Sequence, residues 1–414
     1  MFIRLAIKSL LDRRGSVLVS LLAMAVSIFV LLGVEHVRQQ TKENFDNTVS
    51  GVDLIVGART GSINLLLYSV FRVGNPTNNI RWESYERIST SREVEWAIPF
   101  SLGDSHKGFR VLGTSSDYFK YFSYGKKRLL EFQEGSQFDQ LFDVVLGAEV
   151  ARKLNYNLGD KIVVAHGVAA TSFSLHDDRP FEVVGILKPT GTPVDQTLHV
   201  SLAGIEAIHI DWKNGVKMPS AAGPIENFEN IDLQPKSITA FMLGLKSRMA
   251  TFRFQAAVNN FRHEPLMAIL PGVALSELWQ MMGALEKTLL LVSALVFLAA
   301  CLGVSAMLLA SIRERRNEIH LLRVIGAPPR FLFFLIEVEA LLITLLGVFL
   351  GGVLLLLCLT FSHNYVIDTF GLHIDSDIFT IGNFYLMVLV FSASIIIAAL
   401  PSFIGYLRAA KDLD

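Results

Sequence analysis

At 414 residues, with 51% hydrophobic and only 18% charged side chains, the chain is too apolar for a soluble globular protein, in which about a quarter of residues are charged. Thirty-seven Lys and Arg against 38 Asp and Glu leave a net charge of -1, which argues against a nucleic-acid binder held by phosphate neutralisation. The two cysteines, Cys301 and Cys358, lie inside apolar runs. They exclude a disulfide scaffold and a four-cysteine zinc site.

Residues 1–14 read as a cytoplasmic amphipathic segment. Residues 15–34 follow without a charge, long enough to cross a bilayer at about 20 residues and 1.5 Å rise each. A cleaved leader fits worse, because the apolar run is long and Glu35-His36-Val37-Arg38 comes next. Residues 35–287 form one large insert, mixed in charge and rich in short strand-like runs, and so read as a folded domain. Three more apolar runs follow, at 288–312, 331–360 and 384–407, the last broken by Pro401.

Flanking charge predicts the topology. Arg4, Lys8, Arg13 and Arg14 precede the first run, five arginines lie between residues 313 and 330, and Arg408 and Lys411 follow the last run. Residues 361–383 carry Asp368, Asp375 and Asp377 and no Lys or Arg. All the basic clusters share one side if both termini (the tail being 408–414) are cytoplasmic and the insert is outside. The predicted fold is an α-helical membrane protein with four transmembrane helices and a large α+β extracytoplasmic domain between helices 1 and 2.

Within the insert, residues 35–49 read as a continuation of the first helix. Strands are expected at 52–56, 109–113, 144–147, 161–164, 181–187, 197–200, 239–245 and 267–270. Helices are expected at 81–92, 148–154, 247–259 and 274–285, the last feeding the second span. Residues 157–160 read as a tight turn in which Gly159 supplies the backbone freedom. Strand–helix–strand units at both ends and a β-rich block between them suggest an α+β domain with an inserted lobe.

No Gly-x-x-x-x-Gly-Lys-Ser/Thr, Gly-x-Ser-x-Gly or His-Glu-x-x-His sequence occurs, so the chain is not expected to be an enzyme or to hydrolyse ATP by itself. His106, His166, His176, His199, His209 and His263 are scattered through the insert. Asp104-Ser-His106 and His176-Asp177-Asp178 are the nearest approach to a metal site, but neither has paired ligand spacing. No metal, cofactor or catalytic residue is assigned.

The segment between the second and third runs is the most informative. Ile312, Ile319 and Leu322 recur at helical spacing, with charges on the other side. Gly326 stops this helix, and Pro328-Pro329 begin the next. Its charges alternate in sign (Arg313, Glu314, Arg315, Arg316, Glu318), which suits a protein partner better than anionic lipid; a basic interfacial anchor is the plainer alternative. Glu337 reads as an interfacial carboxylate partnered by a nearby arginine, while Glu339 is left open as a gating or packing residue. Gly347, Gly351 and Gly352 read as points of close helix–helix approach.

Arg315-Arg-Asn-Glu-Ile-His-Leu-Leu-Arg-Val-Ile-Gly-Ala327, then Ile336-Glu-Val-Glu339-Ala-Leu-Leu, the three glycines, Pro401 and Arg408-Ala-Ala-Lys-Asp-Leu413 resemble the permease core of the MacB/FtsX-like ABC transporters. That group includes macrolide-exporter and lipoprotein-extraction permeases. Val145-Leu-Gly-Ala-Glu-Val-Ala151, Leu158-Gly-Asp-Lys-Ile-Val163 and Phe181-Glu-Val-Val-Gly-Ile-Leu187 resemble the family's MacB-like periplasmic core domain. Residues 53–80 and 191–195 are less typical of it. The resemblance implies an inner-membrane permease subunit of the mechanotransmission type, used for export or extraction. It also implies a second permease copy, two separate ATP-binding subunits carrying ATP and Mg, and a periplasmic adaptor or carrier. The lobes of the outer domain would be porter-like and β-rich. Arg313, Glu314, Arg315, Arg316, Glu318, Ile319, Leu322, Arg323 and Gly326 would form the helix that docks on the ATPase. Two other readings remain: a non-transporting regulator of an extracytoplasmic enzyme such as a cell-wall hydrolase, and a component of a metal-handling envelope system. The size of the insert favours the exporter or extraction type over the regulator.

Overall fold

The computed structural model describes residues 2–167, 179–210, 212–213, 216–217, 231–314, 328–370, 378 and 380–411. Among the described residues four helices are long and apolar enough to cross a membrane: Arg14–Thr48, Pro271–Glu314, Pro329–Phe370 and Ile381–Lys411. A short helix, Phe2–Asp12, precedes the first. It buries Ala6, Ser9 and Leu10 and turns Arg4 and Lys8 outward, the i, i+3, i+4 pattern of an amphipathic helix. The chain divides into two units, residues 1–41, 282–368 and 373–414 in one and 42–281 with 369–372 in the other.

In the membrane unit the buried seam is lined by Met24, Ile28, Leu32, Phe297, Val304 and Ile343, among others. Leu18, Leu22, Leu291, Leu295, Phe349 and Ile396 are exposed on the outside. Apolar side chains on both faces are what a helix needs when its outer surroundings are hydrocarbon. Pro401 lies inside the fourth long helix, as membrane helices tolerate.

The outer unit is built on an 11-stranded sheet. Its main path runs Leu266–Ile269, Leu54–Ala58, Ala240–Leu245, Val94–His106, Phe109–Thr114, Thr197–Ser201, Asp143–Leu146, Phe181–Leu187 and Phe132–Gly135. Pairing is antiparallel except where Phe109–Thr114 meets Thr197–Ser201 and where Asp143–Leu146 meets Phe181–Leu187. Strands from the two ends of the insert therefore gather at one end of the path, and those of its middle block at the other. The 13-residue strand Val94–His106 and its hairpin partner Phe109–Thr114 join them.

The edge strand Leu266–Ile269 is closed by side chains. Asn259 Oδ1 accepts from the Ala268 N–H at 2.7 Å, and Gln255 Nε2 donates to the Ala268 carbonyl at 2.9 Å. Both come from the helix Thr251–Asn259, and this occupies the groups through which an open edge recruits another strand.

Most expected elements appear with small shifts. The helix Ala148–Leu154 and the strand Phe181–Leu187 match to the residue, and Gly159 holds φ at +86° in its turn. The helix expected at 81–92 is shorter, Trp82–Ser89. The strand Val94–His106 and the helices Ser62–Ser69 and Leu202–His209 were not anticipated. Val94–His106 is obscured by Pro99 and Gly103, residues that normally argue against a strand.

Candidate functional site

A charge within a spanning helix costs roughly 2.5–3.5 kcal/mol at the bilayer centre, so the partners of Glu337 and Glu339 decide what the third long helix does. Glu339 is buried. Its Oε1 accepts from the Ser9 hydroxyl, and its Oε2 lies 3.1 Å from Arg13 Nη2. Arg13 Nη2 also donates to Ser9 Oγ at 2.9 Å. The side chains of Arg13 and Glu339 keep only 12% and 4% of their exposure, so solvent screens the pair little. Glu337 faces elsewhere: the Ser402 hydroxyl lies 2.9 Å from its Oε2.

Among the described residues the assignment differs from the expected one: the arginine belongs to Glu339, and Glu337 rests on a serine of the fourth long helix. Two residues apart on an α-helix means roughly 200° of rotation, so the carboxylates cannot share a neighbour. Some capacity is left over. Arg13 Nε and Nη1 and Glu337 Oε1 are buried with no hydrogen-bond partner among the described residues.

The glycines divide in the same way. A Cβ built on Gly347 would come within 2.5 Å of Met24 Cγ, and one on Gly351 within 2.8 Å of the Ala25 carbonyl oxygen. Both let the third long helix approach the first. Gly352 meets nothing within 4 Å among the described residues: it sits about 100° around the helix from Gly351.

Of the segment predicted to dock on an ATPase, Arg313 and Glu314 are the last described residues of the helix Pro271–Glu314. Arg315, Arg316, Glu318, Ile319, Leu322, Arg323 and Gly326 lie outside the described residues.

In the outer unit Asp104 and His106 find separate partners. His106 lies 2.6 Å from the Val163 carbonyl through Nδ1 and 2.9 Å from the Tyr156 hydroxyl through Nε2, and burial pushes its imidazole below the ordinary range. Asp104 instead meets His209, 3.5 Å away. Among the described residues no three His, Cys, Asp or Glu side chains come together in a way that would hold a metal ion. His176, Asp177 and Asp178 lie outside them.

Ser9, Arg13 and Ser402 were not anticipated as partners of the carboxylates. Arg13 was legible only as part of a basic flank, since nothing in the local pattern names a residue 326 positions away.

Four apolar helices, a paired carboxylate in the third and an α+β domain inserted after the first define a polytopic membrane protein that presents a large folded domain. A family model described as the MacB-like periplasmic core domain matches residues 16–228, and one described as the FtsX-like permease C-terminal matches residues 290–412. The chain belongs to the MacB/FtsX-like ABC transporter permeases. It is a multi-pass inner-membrane component of such a transporter, a family in which the ATPase resides in a partner.

Two solved structures are similar to the outer region. The periplasmic region of MacB from Actinobacillus actinomycetemcomitans shares 12% identity, covering 56% of this chain and 94% of that one at a TM-score of 0.35. The extracellular domain of the noncanonic ABC-type transporter YknZ from Gram-positive bacteria shares 14%, covering 53% and 98% at a TM-score of 0.30. No curated protein matches the chain.

Proposed function

We propose that this permease works by mechanotransmission: ATP-driven closure of partner ATPases in the cytoplasm is passed along helices to the outer domain, which pushes or releases a substrate outside the membrane. The observation carrying this reading is the continuity of two helices. Arg14–Thr48 has 35 residues and Pro271–Glu314 has 44. At 1.5 Å per residue they run about 50 and 65 Å, against about 30 Å of hydrocarbon. Each continues unbroken from an apolar span into residues of the insert.

In this reading both termini and residues 313–330 are cytoplasmic, 35–287 are outside, and the 313–326 helix docks on the ATPase. Two permease copies flank two ATPases, and an adaptor or carrier receives the substrate. The Ser9–Arg13–Glu339 cluster ties the segment before the first span to the third long helix.

The test is a break in the shaft. Gln40→Pro, beyond the first apolar span, removes a helical hydrogen bond and kinks the helix. The complex reconstituted with its ATPase should keep hydrolysing ATP while spin labels on the outer domains of the two copies no longer change separation with nucleotide. Undiminished movement in that variant would refute mechanical transmission through this helix.

A further inference from the structure

Arg72 follows the helix Ser62–Ser69 in a left-handed conformation, φ +59°, a backbone strain that a non-glycine residue keeps only where its surroundings hold it. Its Nη1 donates to the Ser69 carbonyl, and its guanidinium carbon lies 5.2 Å from the centre of the buried Phe100 ring. The Tyr118 hydroxyl lies beside the guanidinium. The Tyr118 ring is 6.0 Å from Phe100 and 5.2 Å from His199. Tyr118 and His199 are both fully buried. Four separate elements thus converge on one polar cluster inside the apolar core of the outer domain.

The cluster is short of acceptors. Arg72 Nε and His199 Nε2 are buried with no hydrogen-bond partner among the described residues, and the Tyr118 hydroxyl finds none beyond the guanidinium beside it. Nor does a carboxylate among the described residues pair with Arg72, and Arg110 adds a repulsive positive charge. A guanidinium stays charged at any working pH, and a buried charge needs a counter-charge or full hydrogen bonding. His199 Nδ1 sits 3.3 Å from the Val145 carbonyl. Donation from that nitrogen leaves Nε2 as a bare acceptor. The missing group must therefore accept from Arg72 and Tyr118 and, directly or through one water, donate to His199. Arg72 is only partly buried, so part of its side chain meets solvent.

We propose that Arg72, Tyr118 and His199 form a binding site in the outer domain for a small monovalent oxyanion, of the size of formate or hydrogencarbonate. The inference stands apart from the transport mechanism and survives its failure.

The test uses the full chain in detergent at constant pH and ionic strength, with formate, hydrogencarbonate or chloride as the added anion. Oxyanion at about tenfold its dissociation constant should raise the melting temperature by about 3–5 °C over chloride. Arg72→Gln should abolish that increment and Arg72→Lys should keep part of it. Tyr118→Phe, which removes only a hydroxyl, should weaken oxyanion affinity about tenfold while the chain still folds. If the wild type shows no oxyanion-specific shift, or Arg72→Gln and Tyr118→Phe retain it in full, the cluster is merely hydrated and the proposal fails. A failure of Arg72→Gln to fold leaves the Tyr118→Phe comparison decisive.

Discussion

Glu339 is held by two groups from the short helix and the turn before the first span, and this makes it the most consequential single residue of the membrane unit. Glu339→Ala leaves Arg13 buried without a counter-charge, which costs about 3–5 kcal/mol. The variant should melt well below the wild type in detergent, and Arg13→Ala added to it should recover part of the loss. Equal melting of the single and double variants would mean that the pair contributes nothing. His199 makes a prediction about pH. Burial first, and then the Arg72 charge, hold its imidazole down at about 3 in the folded chain, against about 6.5 unfolded. Between those values the unfolded state binds the extra proton, so stability rises with pH there and is fully present above about 6.5. Acidification from pH 7 to 4 should therefore remove on the order of 3 kcal/mol from the outer domain. His199→Asn should flatten that dependence in calorimetric melts taken across the range. Neither role was legible in the sequence: Arg13 reads as a topogenic charge and His199 as one histidine among several, because a side chain's partners follow from packing between distant segments.

At the scale of elements, the segment after the second span offers the sharpest contrast between two physical readings. Reversing Glu314 and Glu318 to Lys leaves the inside preference of the loop intact, since it only adds positive charge. If the helix docks on an ATPase, each reversed contact in a buried patch costs on the order of 2–5 kcal/mol, and a rim contact far less. The ATPase should then be lost on co-purification, or hydrolyse ATP without responding to the permease. If the helix is a lipid anchor, the added lysines should be harmless or helpful, and unchanged recovery with unchanged coupled activity would decide for that reading. The long helices themselves were plain in the sequence as uncharged runs, and the stalk beyond the first span was visible in residues 35–49. The strand Val94–His106 was not, because its proline and glycine speak against a strand locally while ladders on both sides hold it in place. The glycines show the same division: all three fit a packing motif by sequence, yet only Gly347 and Gly351 meet the first helix.

For the whole molecule, the proposed topology can be read directly from intact cells. A cysteine introduced by Ser136→Cys should react with an impermeant maleimide from outside, while one near the end of the chain should stay protected until the membrane is opened. The native cysteines lie in apolar spans, one buried and one exposed in the isolated chain, so a variant lacking both is the proper background. Protection of position 136 together with labelling near the end of the chain would invert the model. The number of spans, the place of the insert and the family follow from the sequence by itself. They depend on composition and local periodicity: a bilayer demands about 20 apolar residues wherever a helix crosses it, and short motifs survive in register with the elements that carry them. Only the tertiary structure decided that Arg13 serves Glu339 while Ser402 serves Glu337, that strands from the two ends of the insert meet in one sheet, and that Arg72, Tyr118 and His199 share a core. Those pairings join residues tens to hundreds of positions apart, and they are set by which surfaces can be buried together, a property that no local window of the sequence contains.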